Sequence, residues 1–373
     1  MNPTLDQLRQ NRSFLALLGG LIVVVGLFAA VRWTQDLQSD FASDYATTKT
    51  VVAGGDPYEN APRDMERWIP GLRVPYKGVH DFPNWRPPFR FLQTWPFTKL
   101  GFTTAANLWA VLLALCTAAG IAIVARGVGW GWRATTVVAV GGLFLPAVRD
   151  DMRFGQINGV LLLLLAAAWV CVRRERQTLA GVAIGSTIAL KVFPVLLLIP
   201  LLARRKYKAA ATSVATAGAL TLAGLWFIGF DKTDDFINVL RTGYGSQRTS
   251  WANISMASHF GWVGLLLSLV LVAALWRHRS SASGDWFWSA MPLVLLAWPI
   301  IWNHYLVLAI PWVMLSLRMT PARVLVCALI LLAIVPGWVS TLALLGAVAL
   351  DTFAPSSPGT PAAETRPAKL VPA

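Results

Sequence analysis

Charge is scarce in this chain, and acid is scarcest. Only 13% of its residues are Asp, Glu, Lys or Arg, where a soluble domain carries roughly 25%. The 18 acidic residues are outnumbered by 32 basic ones, which leaves a formal net charge of +14. The basic residues lie scattered between apolar runs and form no single patch, so the excess does not read as a nucleic-acid footprint. Cysteine is nearly absent. Cys116, Cys171 and Cys327 each sit inside an apolar run, which excludes a disulfide framework or a thiolate metal site and leaves them as small buried hydrophobes. No Walker loop, GxGxxG after a strand, HExxH or GxSxG appears. Nor does an Asp-x-Asp pair of the kind that holds a metal-bound nucleotide sugar, since Asp150 and Asp151 are adjacent and their side chains diverge. No metal and no cofactor are expected. An internal repeat is also missing, which weakens a transporter reading.

What the chain has is apolar length. It is 56% hydrophobic, with a mean hydropathy of +0.57. Long runs cover residues 14–31, 108–124, 157–172, 209–229, 263–275, 291–301, 305–317 and 324–350. A helix needs about 20 apolar residues to cross ~30 Å of hydrocarbon. The last run is long enough for two crossings, and the first lacks a small-residue cleavage site and reads as a permanent span. The expectation is an all-α, polytopic transmembrane bundle of about ten to twelve spans.

Basic residues orient it. Arg9 and Arg12, Arg126 and Arg133, Arg173, Arg174 and Arg176, the cluster Arg204, Arg205, Lys206 and Lys208, then Arg277, Arg279, Arg318 and Arg323 can all face the cytoplasm. The N-terminus is then cytoplasmic, and loops 33–101 and 230–260 lie outside. Residues 1–350 read as one transmembrane domain, and 351–373, rich in Pro, Ala and Ser, as a disordered cytoplasmic tail. The 33–101 loop is broken by prolines and shows no strand alternation, so short surface helices are expected there. Residues 179–202 are apolar but hold Lys191 and Pro194 between two basic clusters. They must go out and back as two short pieces that turn beside a wet cavity.

Five patches on the outer face carry chemistry-capable groups, each with two readings. Asp40 and Asp44 follow the first span, ahead of Gly54-Gly55-Asp56-Pro57-Tyr58. Asp40 overlooks a cavity at the membrane surface or is an interfacial cap, and the Gly-Gly-Asp-Pro stretch is a turn. Arg86 and Arg90 bracket Pro87-Pro88 and hold either a phosphate or lipid headgroups. Arg149, Asp150, Asp151 and Arg153 run into Gln156 and Asn158, which are site groups or helix caps. Lys191 is paired in a cavity or snorkels to the interface. Trp298, Pro299, Trp302, Asn303, His304 and Tyr305 form the last patch, and Asn253 with Ser255 adds hydrogen-bonding groups beside Trp251. Lys191 and His304 are expected to line one cavity with Asp40.

Taken in order, these patches resemble the family 87 glycosyltransferases of the GT-C superfamily, the bacterial polyprenyl-phosphate-mannose-dependent mannosyltransferases. The matching residues are Asp40-Phe41, the Gly-Gly-Asp-Pro-Tyr ending at Tyr58, Pro87-Pro88, Gly155-Gln156-Ile157-Asn158, Leu190-Lys191-Val192-Phe193-Pro194, Asn253-Ile254-Ser255, and Pro299 with His304-Tyr305. The resemblance covers residues 14–317. Asp44 stands where the family has Tyr, Arg86 replaces the Tyr of Tyr-Pro-Pro, Ile254 replaces Gln, and Trp298 and Ile301 replace serines.

The resemblance implies a GT-C bundle in the bacterial inner membrane with an extracytoplasmic site. It implies transfer of a sugar, mannose first, from a polyprenyl-phosphate carrier to a glycolipid or glycan acceptor by inverting single displacement. Asp40 is then the general base. Lys191, His304, Arg86, Arg90, Arg149 and Arg153 are candidates for the donor phosphate, and Asp44, Tyr58, Gln156, Asn158, Asn253, Trp302 and Tyr305 for substrate contact. Related enzymes of the superfamily use polyprenyl-phosphate-arabinose, which is the first alternative. A multi-span transporter or lipid flippase, or a non-enzymatic envelope-assembly protein, are the others.

Overall fold

A computed structural model describes Gly20 and residues 39–72, 83–246, 253–277, 285–316, 321–332 and 337–353. Every regular element among them is helical. Prolines and glycines punctuate the apolar runs and set where the helices stop. α1 (Ser39–Val52), α2 (Ala61–Trp68) and α3 (Pro88–Thr94) come first, and a 3-10 turn over Trp95–Lys99 follows. The short surface helices expected in the first large loop are therefore present, with residues 73–82 outside the described set. α4 (Phe102–Gly127), α5 (Trp132–Gly142), α6 (Pro146–Phe154), α7 (Asn158–Arg173) and α8 (Gln177–Leu190) come next. Then come a 3-10 turn (Phe193–Leu197), α9 (Leu198–Ala203), α10 (Tyr207–Ile228) and α11 (Thr233–Ser246). α12 (Met256–Arg277), α13 (Trp286–Ser289), α14 (Met291–Ala297), a 3-10 stretch (Asn303–Ala309), α15 (Ile310–Ser316), α16 (Pro321–Leu332) and α17 (Gly337–Phe353) complete the chain.

Among the described residues, α4 and α10 are long and apolar enough to cross a membrane. α6 and α7 count as a third crossing if taken together, although they bend by 120° at their junction. Apolar helices of 10–17 residues supply the rest, Gln177–Leu190, Phe193–Ala203 and Asn303–Leu315 among them. Among the described residues, fewer full-length spans form than the ten to twelve expected of the whole chain. The physical reason lies in the breaks. Pro194, Pro292 and Pro311 restart helices, since proline removes a donor and clashes with the preceding turn. Gly261 interrupts α12 with non-helical torsions. The 324–350 run does split in two, as α16 and α17. The 14–31 run, apart from Gly20, and residues 354–373 of the tail lie outside the described residues.

Two packing relations place the site. α7 runs parallel to α4. The Trp109 indole near the start of α4 donates to the Gly155 carbonyl just before α7 (2.9 Å), and Arg173 at the end of α7 donates to the Gly127 carbonyl at the end of α4 (2.7 Å). α8 likewise runs parallel to α10, in contact close enough to require glycine. A methyl group at Gly181 would sit 2.6 Å from the Ala209 carbonyl oxygen, and one at Gly185 would sit 2.5 Å from that of Ser213, a small-xxx-small contact of the kind membrane helices use. Because α8 and α10 point the same way, the 191–206 segment must return between them. The out-and-back path expected for 179–202 is thus what forms, with Lys191 at the turn. Glu175 and Lys206, 2.6 Å apart, tie the two basic clusters at one end of the bundle. Lys191, α1 and α3 gather at the other.

Candidate active site

α1 presents two faces. Phe41 and Tyr45 are fully buried. Phe41 stacks on Trp109 with ring centroids 5.4 Å apart, and the Tyr45 hydroxyl donates to the Leu100 carbonyl at 2.7 Å. That anchorage turns Asp40 and Asp44, one helical turn apart, toward the polar cluster. The two carboxylates meet different surroundings. Asp44 is 1% exposed and receives Arg86 Nε at 3.0 Å and Arg90 Nη2 at 2.8 Å, with Arg90 Nε also at 2.8 Å. Asp40 keeps 26% of its side chain exposed, lies 3.6 Å from Arg86 Nη2, and accepts from Gln156 Nε2. Burial would raise Asp44, but the guanidiniums of Arg86 and Arg90 outweigh it and hold that carboxyl below its ordinary range. Burial prevails at Asp40 and pushes its carboxyl up, with Arg86 working against it.

Arg86 and Arg90 come from the proline-fixed stretch before α3. Asn84 accepts from the Arg86 backbone N–H, and Pro88 at the first turn starts the helix. Arg90 is 2% exposed. It is held by Asp44, by the side-chain Oε1 of Gln93, and by the Trp109 ring 4.7 Å from its guanidinium carbon. It braces the cluster from behind and does not face the cavity. Arg86 does face it.

Lys191 ends α8 in an extended conformation. Its ammonium donates to Gln156 Oε1 at 2.9 Å and Asn158 Oδ1 at 3.1 Å, and lies 3.8 Å from the centre of the Tyr305 ring. Gln156 therefore bridges Asp40 and Lys191. It can do so because Gly155, at φ 66°, closes α6 in the left-handed region, and a side chain there would strike Phe41. The His304 ring packs between Phe154 and Tyr305. Its Nε2 is buried without a hydrogen-bond partner among the described residues. A cavity of about 140 Å³ opens here, lined by Trp85, Arg86, Lys191, Trp298, Trp302 and Tyr305 among others. Of the three residues expected to line one cavity, only Lys191 reaches the cavity wall; Asp40, beside Arg86, and the buried His304, beside Tyr305, belong to the polar cluster behind it.

Other candidates sit elsewhere. Asn253 is fully buried. Its amide donates to the Pro299 carbonyl, and its oxygen accepts from the Ile301 and Ser255 N–H groups. It clips the segment that carries Trp302 and Tyr305 and does not line the cavity. Asn158 is also wholly buried, between Asp151, Lys191 and the His304 carbonyl. Tyr58 packs on Phe91 and Phe236, and its hydroxyl reaches the Arg86 carbonyl at 3.3 Å; it supports Arg86 from outside the cavity. Asp56 accepts from the Tyr58 N–H, which is the turn expected there, and pairs with Lys232 at 3.0 Å. Arg149 is exposed and Arg153 half-buried on α6, where their charges act on Asp150. Sequence reasoning missed Trp85 and the α11 residues Val239 and Leu240 as cavity lining. Trp85 had a signal, an aromatic next to Arg86; the α11 pair had none. Among the described residues no cluster of His, Cys, Asp and Glu could hold a metal ion.

Comparison with solved structures finds a similar fold. The crystal structure of ArnT from Cupriavidus metallidurans bound to undecaprenyl phosphate superposes with a TM-score of 0.51 at 15% identity, over 91% of this chain and 78% of that one. The all-helical GT-C architecture is borne out. Residues 86–336 match the model of glycosyltransferase family 87, and the chain belongs to that family. A polyprenol-phosphate-mannose-dependent alpha-(1-2)-phosphatidylinositol mannoside mannosyltransferase of Mycolicibacterium smegmatis is 27% identical over 274 residues, 63% of this chain. The match spans only 62% of that relative's length. An alpha-(1->3)-arabinofuranosyltransferase of Corynebacterium glutamicum is 25% identical over 261 residues, 63% of this chain and 59% of its own.

Proposed function

We propose that the protein transfers mannose from a polyprenyl-phosphate carrier to a glycolipid or glycan acceptor, by a single inverting displacement with Asp40 as general base. The observation that carries this reading is one arrangement. A part-exposed carboxylate stands beside a cavity whose wall supplies two cations, Arg86 and Lys191. The acceptor hydroxyl gives its proton to Asp40 as its oxygen bonds the anomeric carbon. The bond from that carbon to the phosphate oxygen breaks, and the polyprenyl phosphate leaves with a second negative charge. Lys191 and Arg86, which line the cavity, stabilise it in this reading, as preorganised donors do for developing charge, with His304 buried behind them beside Tyr305. A carboxyl raised by burial suits a group that must accept a proton. The mycobacterial relative's name favours mannose and a phosphatidylinositol mannoside acceptor. The corynebacterial relative's name favours arabinose as the second reading.

In this reading the polar end faces the extracytoplasmic side of a bacterial inner membrane and the N-terminus is cytoplasmic. The clustering of Arg173, Arg174, Arg176, Arg204, Arg205 and Lys206 at the opposite end supports it. The test is transfer of labelled mannose from polyprenyl-phosphate-mannose by purified protein. Asp40→Asn keeps the shape and the bond from Gln156 but removes basicity, and should lower the rate about 10²–10⁴-fold while leaving the melting temperature unchanged. Near-normal transfer by this variant would remove Asp40 from the role.

A further inference from the structure

One buried acid takes no part in the mechanism above. Asp151, on α6, has no solvent exposure. It accepts from Asn158 Nδ2 at 2.7 Å and from the Gly159 N–H at 3.1 Å. Neither contact touches the cavity. Asn158, however, turns its other amide atom to Lys191, whose ammonium it receives at 3.1 Å. We propose that Asp151 is a positioning residue for Lys191 at the donor phosphate, acting through the amide of Asn158; this deepens the functional reading above and rests on it.

The reasoning is one of donors and acceptors. An ionised carboxylate accepts only. Facing Asp151, the Asn158 amide must therefore present its NH₂ group to the acid and its oxygen to Lys191. An ammonium donates only, so that orientation is the one in which both neighbours of Asn158 are satisfied. The His304 carbonyl, 3.4 Å from Asn158 Nδ2, selects the same face of the amide. Gln156 completes the hold on Lys191 from the other side and passes it on to Asp40. The carboxylate also places a negative charge near Lys191, which is buried to 6% exposure, and a buried ammonium without a counter-charge is costly. Asp150, next in sequence, has no part in this chain of bonds. Its side chain lies with Arg149 and Arg153.

Asp151→Asn alters the logic without altering the shape. The new NH₂ group competes for the Asn158 oxygen, and an Asn158 amide turned to meet it would aim its own NH₂ at Lys191. The readout is inhibition of transfer by undecaprenyl phosphate, the dianionic product class. An inhibition constant does not depend on how much of the sample is active, so partial misfolding leaves it unmoved. Asp151→Asn should raise that constant about tenfold or more, the scale of a lost hydrogen bond to a charged group, as should Lys191→Gln. Asp150→Asn should match wild type. If Lys191→Gln weakens inhibition and Asp151→Asn does not, the positioning role is wrong and the donor-site reading stands. If undecaprenyl phosphate fails to inhibit the wild-type protein, the donor-site reading itself is wrong. Should Asp151→Asn prove too unstable to purify, Asn158→Leu removes the same link and must give the same tenfold rise; an unchanged constant in that variant overturns the proposal.

Discussion

Replacing Asp44 with asparagine separates scaffold from chemistry in the acidic pair of α1. The family pattern has Tyr at this position, which suggests a tolerant site. The structure makes the opposite case, because Asp44 is the buried counter-ion of two arginines. Three charge-assisted bonds converge on it at 2.8–3.0 Å, each of a kind contributing about 1.5–3 kcal/mol. Asparagine keeps one acceptor oxygen, so the loss is smaller than the full set, about 3–5 kcal/mol, which is also the usual cost of breaking a buried pair by removing one partner. Arg90, at 2% exposure, is left with the Gln93 side chain and the Trp109 ring. At about 2 °C per kcal/mol for a chain of this size, melting should fall by roughly 6–10 °C. Arg86 loses one of its two acids and settles on Asp40, so transfer should fall as well. The assay is thermal unfolding in detergent alongside transfer activity. An Asp44→Asn protein that melts within about 2 °C of wild type would refute the reasoning. The same triad sets an acid limit. A carboxyl held below its ordinary value gives its full stability above about pH 4 and loses it as pH falls through the folded value.

Two further outcomes are expected. Lys191→Gln, which removes the cation but keeps a donor, should lower the turnover number about 10²–10³-fold, read with saturating polyprenyl-phosphate-mannose. Asp64 on α2 is largely buried and accepts from the Thr50 hydroxyl at 2.6 Å, and burial pushes its carboxyl up to about 6. Its raised value means that its contribution is present below about pH 4 and lost as pH rises through about 6, so the gap in melting temperature between Asp64→Asn and wild type should widen in the variant's favour from pH 5 to pH 8; a gap independent of pH would contradict this.

Lys191 shows what a sequence can disclose. An ammonium and a proline in an apolar stretch, between two basic clusters too close for two full crossings, force a turn away from lipid, and the 3-10 stretch after Lys191 is that turn. The all-helical bundle follows from the same arithmetic of apolar length. The span count does not, because a run of apolar residues says nothing about where proline and glycine will divide it. The partners of Lys191 lie beyond such reasoning. Gln156 and Asp40 are 116 positions apart and share no period, so only their order within a family pattern hinted that they meet.

Polarity, moreover, does not tell direction. Asn253, Asn158, Tyr58 and Arg90 stood out as polar groups in apolar or loop context, and each turns out to be committed to the protein's own hydrogen bonds or aromatic packing. A buried polar group must be satisfied whether or not a ligand comes, so a scaffold residue and a binding residue leave the same mark in a sequence. What separates them is an unspent bond or an open face. By that criterion the cluster narrows to four groups. Asp40 keeps an exposed edge, Arg86 and Lys191 line the cavity, and His304 has a ring nitrogen without a hydrogen-bond partner among the described residues. Under the proposed function, Arg86 and Lys191 are the groups a sugar phosphate would meet, and Asp40 the one that would take the acceptor's proton.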